Sequence, residues 1–541
     1  MKQFAALVDQ YVRWVCQGSP VNATYLGIHD YDHTLGNFAP EAMADWVRQG
    51  EQLQKELESL TGLEADSELD RRLLVGQLSA TRTYFHHIRH WEKNPGLYPQ
   101  TALIGLFLLM VRQFAPLEQR AENIWRRLKE VPQLLAQGRA NLQDSPRTFS
   151  EVAMAITKGG MAFLKEAIPP LAKQVPALES ELLAANAQAV AAAEDYLNFL
   201  QSSHLSRSNG DFAIGRGPFD ALLAQNHLLP YNAAELEAIG VQVRDATLAE
   251  LEQVAQEIDH YRSWVEQVDQ LKAHHPPAEE LVEAYQQEML RAKEFVRERG
   301  LATIPNGEEL EVIPTPPYER ATTPYAAYLP AAPFEKQQKG LFYVTPVNQA
   351  LEPPEREEQL RGHSRYAIPI TALHEGYPGH HLQFSLANRV RSKARQTGDS
   401  PVFAEGWALY CEEMMYEEGF YTDPRQRLMQ LKDLLWRACR VIIDTGLHTR
   451  GLSFEAAVDM LMNMAHLERP NALAEVRRYC QTPTQPMSYV IGKREILGLR
   501  DDYRQKLGRR FSLRAFHDRL LSFGTIPPSL VRWGMGLDGK P

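Results

Sequence analysis

Thr371-Ala372-Leu373-His374-Glu375-Gly376-Tyr377-Pro378-Gly379-His380-His381-Leu382-Gln383 decides how the rest of this chain is read. A His followed at once by Glu, with more His within two turns, is how a metallohydrolase presents metal ligands and a general base. Imidazole nitrogen suits Zn²⁺, and a neighbouring carboxylate can take a proton from activated water. The usual spacing is H-E-x-x-H, one turn apart on one helix face. Here Pro378 stands where the second His belongs. Proline inside a helix donates no hydrogen bond and clashes with the carbonyl four residues back. An unbroken helix therefore cannot run from His374 through Gly379. With Pro378 and Gly379 excised, the string reads His-Glu-Gly-Tyr-His, the normal spacing. The expectation is a two-residue bulge that swings His380 onto the face of His374. His381 is the rival second ligand: it shares that face of an ideal helix but lies two turns along, about 10 Å away.

Composition narrows the classes. The 541 residues suffice for two to four average domains or one large helical body. A net charge of −10 argues against a nucleic-acid surface and leaves small substrates open. The N-terminal stretch, with Phe4, Leu7, Val8, Tyr11, Val12 and Val15, reads as an amphipathic helix and not as a signal peptide. No run of 18 apolar residues exists, so no membrane-spanning helix is expected. Cys16, Cys411, Cys439 and Cys480 are scattered and form no C-x-x-C pair. They read as reduced core thiols of a cytoplasmic protein.

Three regions follow along the chain, read as one continuous body. Residues 1–205 are a succession of helices broken at Gly18-Ser-Pro20, Asn94-Pro95-Gly96 and Ser145-Pro146. Residues 206–350 add two long helices and then change character. Pro305, Pro314, Pro316, Pro317, Pro324, Pro330, Pro333 and Pro346 interleave with Tyr318, Tyr325, Tyr328 and Tyr343. Helix cannot persist there. Leu310-Glu-Val-Ile313 and Leu341-Phe-Tyr-Val344 read as strands of a small β-sheet within residues 308–346. That sheet either caps the helical body or sets an edge strand beside the cleft, where an extended peptide could pair with it. Residues 351–541 are helical again and carry the metal motif; 355–361 read as a charged flap or linker.

Glu405 is the third metal ligand by this reading. It follows His380 by 25 residues at the start of a second helix, Ala404-Glu405-Gly406-Trp407. The plainer alternative is a carboxylate stabilised by the helix dipole. Glu412, seven residues on, reads as a surface charge or as a partner that orients a His. In the helix spanning 425–449, Arg437, Arg440, Asp444 and His448 make one stripe on an otherwise apolar segment. Such groups pair with one another or face a cleft. Arg440 and Asp444 have the i,i+4 spacing of an ion pair. His448, at the end of the stripe, is a candidate oxyanion donor, as is the Tyr489 hydroxyl. Arg440, Lys493 and Arg494 are candidates for binding a substrate carboxylate, Arg being the better bidentate partner.

HEGYPGHHLQ at 374–383, FAEGWALYCEEM at 403–414, CRVIIDTGLH at 439–448 and PMSYVIGKREI at 486–496 resemble the bacterial DUF885 family. Fainter likeness runs through GDFAIGRGPFDALL at 210–223 and GLFYVTPVN at 340–348. The resemblance implies a zincin-like metallopeptidase architecture, and it places the Glu405 carboxylate on the metal. It implies no substrate. The fold expected is mainly α, a large zincin-like helical body with a deep cleft and the small sheet. The function expected is Zn²⁺-dependent hydrolysis of a short peptide or amide, with Glu375 as general base and carboxypeptidase-like action favoured. The alternatives are a non-peptide amidase on the same site and a non-catalytic binding protein that keeps the fold. Neither nucleic acid nor membrane is expected as a partner.

Overall fold

Apolar residues recur at three- and four-residue spacing through most of the chain, and the elements follow that period. The structure is a computed structural model describing residues 2–316, 320, 323 and 325–537. Pro317, Tyr318 and Pro324 of the Pro/Tyr-rich segment lie outside the described residues. The first helix, Lys2–Gly18, buries Phe4, Leu7, Val8, Tyr11 and Trp14 along one face. Further on, helices Leu97–Val111, Leu117–Asn141, Arg147–Lys173 and Glu179–Phe199 pack about a core that includes Leu106, Ile124, Leu128, Ile168 and Ala189. A second core joins Leu69 and Leu73 of the N-terminal region to Phe403, Trp407 and Phe516. All four cysteines are free and buried. Among the described residues no helix is long and apolar enough to cross a membrane.

The sheet has three strands, β1 (Glu308–Pro314), β2 (Ala326–Leu329) and β3 (Gln338–Val344), in the order β1-β3-β2. β3 pairs parallel with β1 and antiparallel with β2, with Ala326 opposite Val344. As the central strand it is buried from Gly340 to Val344, which explains its continuous apolar run. β2 escaped the sequence reading because Ala326-Ala327 has little strand preference of its own. Its pairing is set by β3, and the Thr345 N–H extends it by donating to the Tyr325 carbonyl. Residues 355–361, read as flap or linker, lie in a helix, Pro353–Arg361, opened by a reciprocal Glu352–Glu355 cap.

The helices around the site are numbered here in chain order: α1 (Ala233–Ile258), α2 (Leu281–Arg299), α3 (Ile368–Glu375), α4 (His380–Ala387), α5 (Pro401–Glu417), α6 (Pro424–Thr449), α7 (Arg469–Gln481) and α8 (Ser488–Leu507), with α1 packed on α6 and Lys272 ending the helix Trp264–Lys272. α5 and α8 touch through two glycines. A Cβ on Gly406 would come within 2.4 Å of the Gly492 Cα, and one on Gly492 within 1.9 Å of the Val402 carbonyl oxygen. Backbone meets backbone here, so no side chain can yield. Gly406 follows Glu405 and Gly492 lies one turn past Tyr489, so this contact sets the distance between those two groups. Gly492→Ala is therefore expected to destabilise the protein by roughly 1–3 kcal/mol through overpacking. Urea unfolding checks it; an unchanged midpoint would show that α5 and α8 separate freely.

Candidate metal centre and its cavity

α3 ends at Glu375 and α4 begins at His380. The expected two-residue bulge is thus a full break, with Gly376 to Gly379 outside either helix. Tyr377-Pro378 is a cis peptide, and Gly376 (φ −99°, ψ −103°) and Gly379 (φ −68°, ψ −133°) flank it. A Cβ on Gly379 would sit 1.9 Å from the His374 carbonyl oxygen, so the chain can double back this tightly only at glycine. The turn is held from α5, where the Trp407 Nε1–H donates to the Pro378 carbonyl at 2.8 Å. Within three residues, therefore, Glu405 to Trp407 supplies a carboxylate, a close approach to α8 and a clamp on the His turn.

This arrangement brings His374, His380 and Glu405 together, with one candidate ligand atom from each inside a 4.8 Å cluster. The Glu405 Oε2 lies 3.2 Å from His380 Nε2 and 3.8 Å from His374 Nε2. It is buried with no hydrogen-bond donor of its own. Its partner oxygen Oε1 accepts from Gln485 Nε2 at 3.3 Å, which leaves Oε2 to the imidazoles. Burial alone would raise the Glu405 pKa, but the two imidazoles pull it well below the carboxylate range. His374 behaves in the opposite sense. Burial would depress it, yet Glu405 and Glu412 raise it to about 9.

Glu412 is fully buried, and the surface reading for it is wrong. It accepts the Nδ1–H of His374 at 2.8 Å, fixing the tautomer that leaves Nε2 as the ligand atom. An isolated carboxylate seven residues past Glu405 carries no burial signal of its own; only the fact that α5 is apolar on every side marks it. His381 turns away from the cluster. Its Nε2 pairs with Glu308 of β1 and its Nδ1 meets the Tyr328 hydroxyl of β2 at 3.0 Å. The rival second ligand thus ties the sheet to α4. Glu308 also accepts from Tyr377 and pairs with Lys293 of α2.

Beside the cluster lies a cavity of about 250 Å³. His374, Glu375, Thr371 and Tyr489 form one side, and Ala326 and Ala327 of the edge strand β2 form part of another. Tyr489 stacks on His374 (ring centroids 6.3 Å apart, 19° between planes), and the Arg440 guanidinium lies 4.6 Å from the Tyr489 ring centroid. Burial, with Glu405 adding to it, pushes the Tyr489 hydroxyl up to about 12, so it keeps its proton at neutral pH.

The stripe on α6 is real but runs the other way. Met429, Lys432, Asp433, Trp436, Arg437 and Arg440 line the cavity from one face of the helix. Asp444 and His448 share that face but lie 4–11 residues beyond the Arg pair, about 6–16 Å further along the axis. By then α6 has entered a core. His448 is fully buried, donates from Nε2 to the Tyr479 carbonyl at 3.0 Å and packs on Phe219. Burial lowers its pKa to about 4. It is not among the residues lining the cavity, and the structure does not bring it to the metal cluster. The expected Arg440–Asp444 pair does not form either. Arg440 Nη2 bonds Glu475 at 3.0 Å and its Nε bonds the Tyr479 hydroxyl at 2.7 Å. Asp444 instead accepts the N–H groups of Thr484 and Met487 at 3.2 and 3.3 Å, which fixes the chain just before Tyr489.

Lys493 and Arg494 are likewise not brought to the cavity. Lys493 pairs with Glu413 at 3.1 Å, and Arg494 is exposed near Tyr231. Both follow Tyr489 in sequence, but on α8 they turn to other faces. Arg478 and Glu475 of α7 take their place, as does Lys272. Those three sit in unremarkable charged helices, and no spacing in the sequence singles them out.

The two imidazoles after Pro378 can be separated by experiment. His380→Ala should abolish the metal retained on purification without chelator, as should His374→Ala. His381→Ala should keep that metal and instead lower the unfolding midpoint, because it unties α4 from Glu308 and Tyr328 of the sheet. Metal loss in His381→Ala alone would transfer the ligand role to it.

Comparison with known proteins adds the family and the fold. No curated protein matches the chain. A putative lipoprotein of unknown function from Shewanella oneidensis is 24% identical, with a TM-score of 0.79 over 98% of this chain and 99% of its own. A putative lipoprotein from Colwellia psychrerythraea is 19% identical, with a TM-score of 0.83 over 99% of each chain. An M32 carboxypeptidase from Deinococcus radiodurans R1 aligns at 15% identity and a TM-score of 0.37, covering 99% of this chain and 96% of its own. The match of residues 20–535 to the model of DUF885, bacterial proteins of unknown function, shows that the chain belongs to that family.

Proposed function

We propose that this protein is a zinc-dependent hydrolase that cleaves a peptide or amide bond in short substrates and acts from their carboxyl end. The observation that carries this reading is the convergence of His374, His380 and Glu405, with His374 and Glu375 on the wall of a cavity. The donor set fits zinc. Bonds of ~2.0–2.1 Å in a tetrahedron put ligand atoms roughly 3.3 Å apart, and the separations from Glu405 Oε2 are 3.2 and 3.8 Å. The orphaned Oε2 is a buried acceptor awaiting a positive partner. Three protein ligands leave a fourth position open, as in catalytic zinc sites.

Zinc bound there would polarise the scissile carbonyl and acidify a water molecule. Glu375 takes the proton from the attacking water as its oxygen bonds to the carbonyl carbon. It then delivers that proton to the amine nitrogen as the C–N bond breaks. Tyr489, protonated and stacked on His374, donates to the oxygen that gains negative charge. The free edge of β2 offers main-chain groups to an extended substrate, with Ala326 and Ala327 too small to obstruct it. The cavity, at about 250 Å³, falls just below the ~300–1,000 Å³ typical of ligand pockets. It suits one residue beyond the scissile bond. Its cationic wall favours a free carboxylate on that residue. Four unpaired cysteines favour a reducing compartment and hence the cytoplasm, although two similar structures are named as lipoproteins.

Glu375→Gln is the test. The amide conserves volume but cannot accept the proton, so kcat should fall by about 10²–10⁴-fold while zinc content and unfolding midpoint stay at wild-type values. A fully active variant would remove Glu375 from the reaction.

A further inference from the structure

The cavity wall opposite the metal cluster carries more positive charge than its own carboxylates neutralise. Lys272, Lys432, Arg437, Arg440 and Arg478 line it, against Asp433, Glu468 and Glu475. Lys272 pairs with Glu468 at 2.6 Å and Lys432 with Asp433 at 3.1 Å. Arg440 and Arg478 share the single carboxylate of Glu475, at 3.0 and 2.8 Å. Arg437 stands 3.7 Å from both Asp433 and Glu412 and makes its hydrogen bond to the Asp433 carbonyl. With Arg361 and Glu375, which also line the cavity, six cations face four carboxylates among the described residues, a surplus of two. Arg361 is partly exposed, with Asp269 and Glu358 at 3.9 and 4.0 Å. Glu405 and Glu412 are not counted, because they answer the two charges of the metal.

Surplus charge in such a place is expensive. Arg440 is 4% exposed, and among the described residues its Nη1 has no hydrogen-bond partner, nor has the Nε of Arg437. Breaking even one side of a buried ion pair costs several kcal/mol. The Arg440 guanidinium packs against the rings of Trp436 and Tyr489, 4.2 and 4.6 Å from their centroids. Tyr489 is the shared wall between this guanidinium and His374, so the cationic pocket begins one aromatic ring from the metal cluster.

We infer that this cavity is a dicarboxylate subsite and that the residue released by cleavage is acidic, a C-terminal glutamate or aspartate. Two carboxylates, the α-carboxylate and that of the side chain, answer a surplus of two cations. The inference rests on the hydrolase reading above for its catalytic part, but the pocket would bind the free dicarboxylate without any reaction. Glutamine has the same shape with one charge fewer, which makes it the matched control.

Two measurements on the zinc-loaded wild-type protein decide it. The first compares acetylated dipeptides ending in Glu, in Gln, and in Glu with an amidated α-carboxylate. The Glu peptide should exceed each of the others in kcat/KM by at least tenfold. The second is calorimetric titration with free glutamate and free glutamine, where glutamate should bind at least tenfold more tightly. Arg478→Gln, at a partly exposed position, should bring both ratios toward one. Equal affinities for glutamate and glutamine overturn the inference whatever the catalytic result, and so does a Glu-to-Gln rate ratio near one in an active enzyme. Glutamate binding with no cleavage of any peptide upholds the subsite and overturns the hydrolase reading instead.

Discussion

A buried carboxylate oxygen with no donor, held between two imidazoles, is the constraint on which this structure turns. Glu405 Oε2 would be costly where it lies without the two imidazoles that face it at 3.2 and 3.8 Å. Every nearby device serves to keep it there. Gln485 occupies the other oxygen, Trp407 pins the turn that presents His380, and Glu412 fixes the ring of His374. The Gly406–Gly492 contact then brings α8 against α5, so that Tyr489 stands over the same cluster. Remove the glycine pair or the tryptophan clamp and the ligands would survive in sequence but not in position.

The small sheet is part of the same device. Glu308 of β1 and Tyr328 of β2 hold the two nitrogens of His381, and β3 joins the strands while sending Leu341 and Tyr343 into the N-terminal core. The residue directly after a metal-ligand candidate therefore anchors α4 to the sheet. β2 is left with one free edge along the cavity. The sheet thus positions the helix that carries His380.

How much of this was legible in the sequence depends on the range of the physics involved. Local rules found the helices, the break at Pro378, and strands at 310–313 and 341–344, because proline sterics and residue period act over a few neighbours. The meeting of His374, His380 and Glu405 was legible because a short motif and the family resemblance carry them, and Tyr489, singled out by the resemblance and by its aptness as a donor, does lie beside His374. β2 was not legible, since pairing with β3 overrides the weak preference of Ala326-Ala327. Nor was the fate of His448. Helical period shows which residues share a face, but not where along the axis the cavity ends and the core begins. Lys272, Glu475 and Arg478 reach the cavity from segments whose sequence reads as ordinary solvated helix. Their meeting with α6 is a long-range event that no local pattern encodes.

The four cysteines have a use of their own. Each is buried, and burial pushes every thiol up, Cys16 to about 11 and Cys439 and Cys480 to about 12, with Cys411 well above its ordinary value. As thiols with almost no thiolate they are inert to alkylation in the native state. They are spread over the first helix, α5, α6 and α7, so each becomes reactive only when its own segment opens. Inactivation by a thiol reagent would accordingly report breathing of the core and not attack on the chemistry. The order in which the four are modified would map which part of the molecule loosens first.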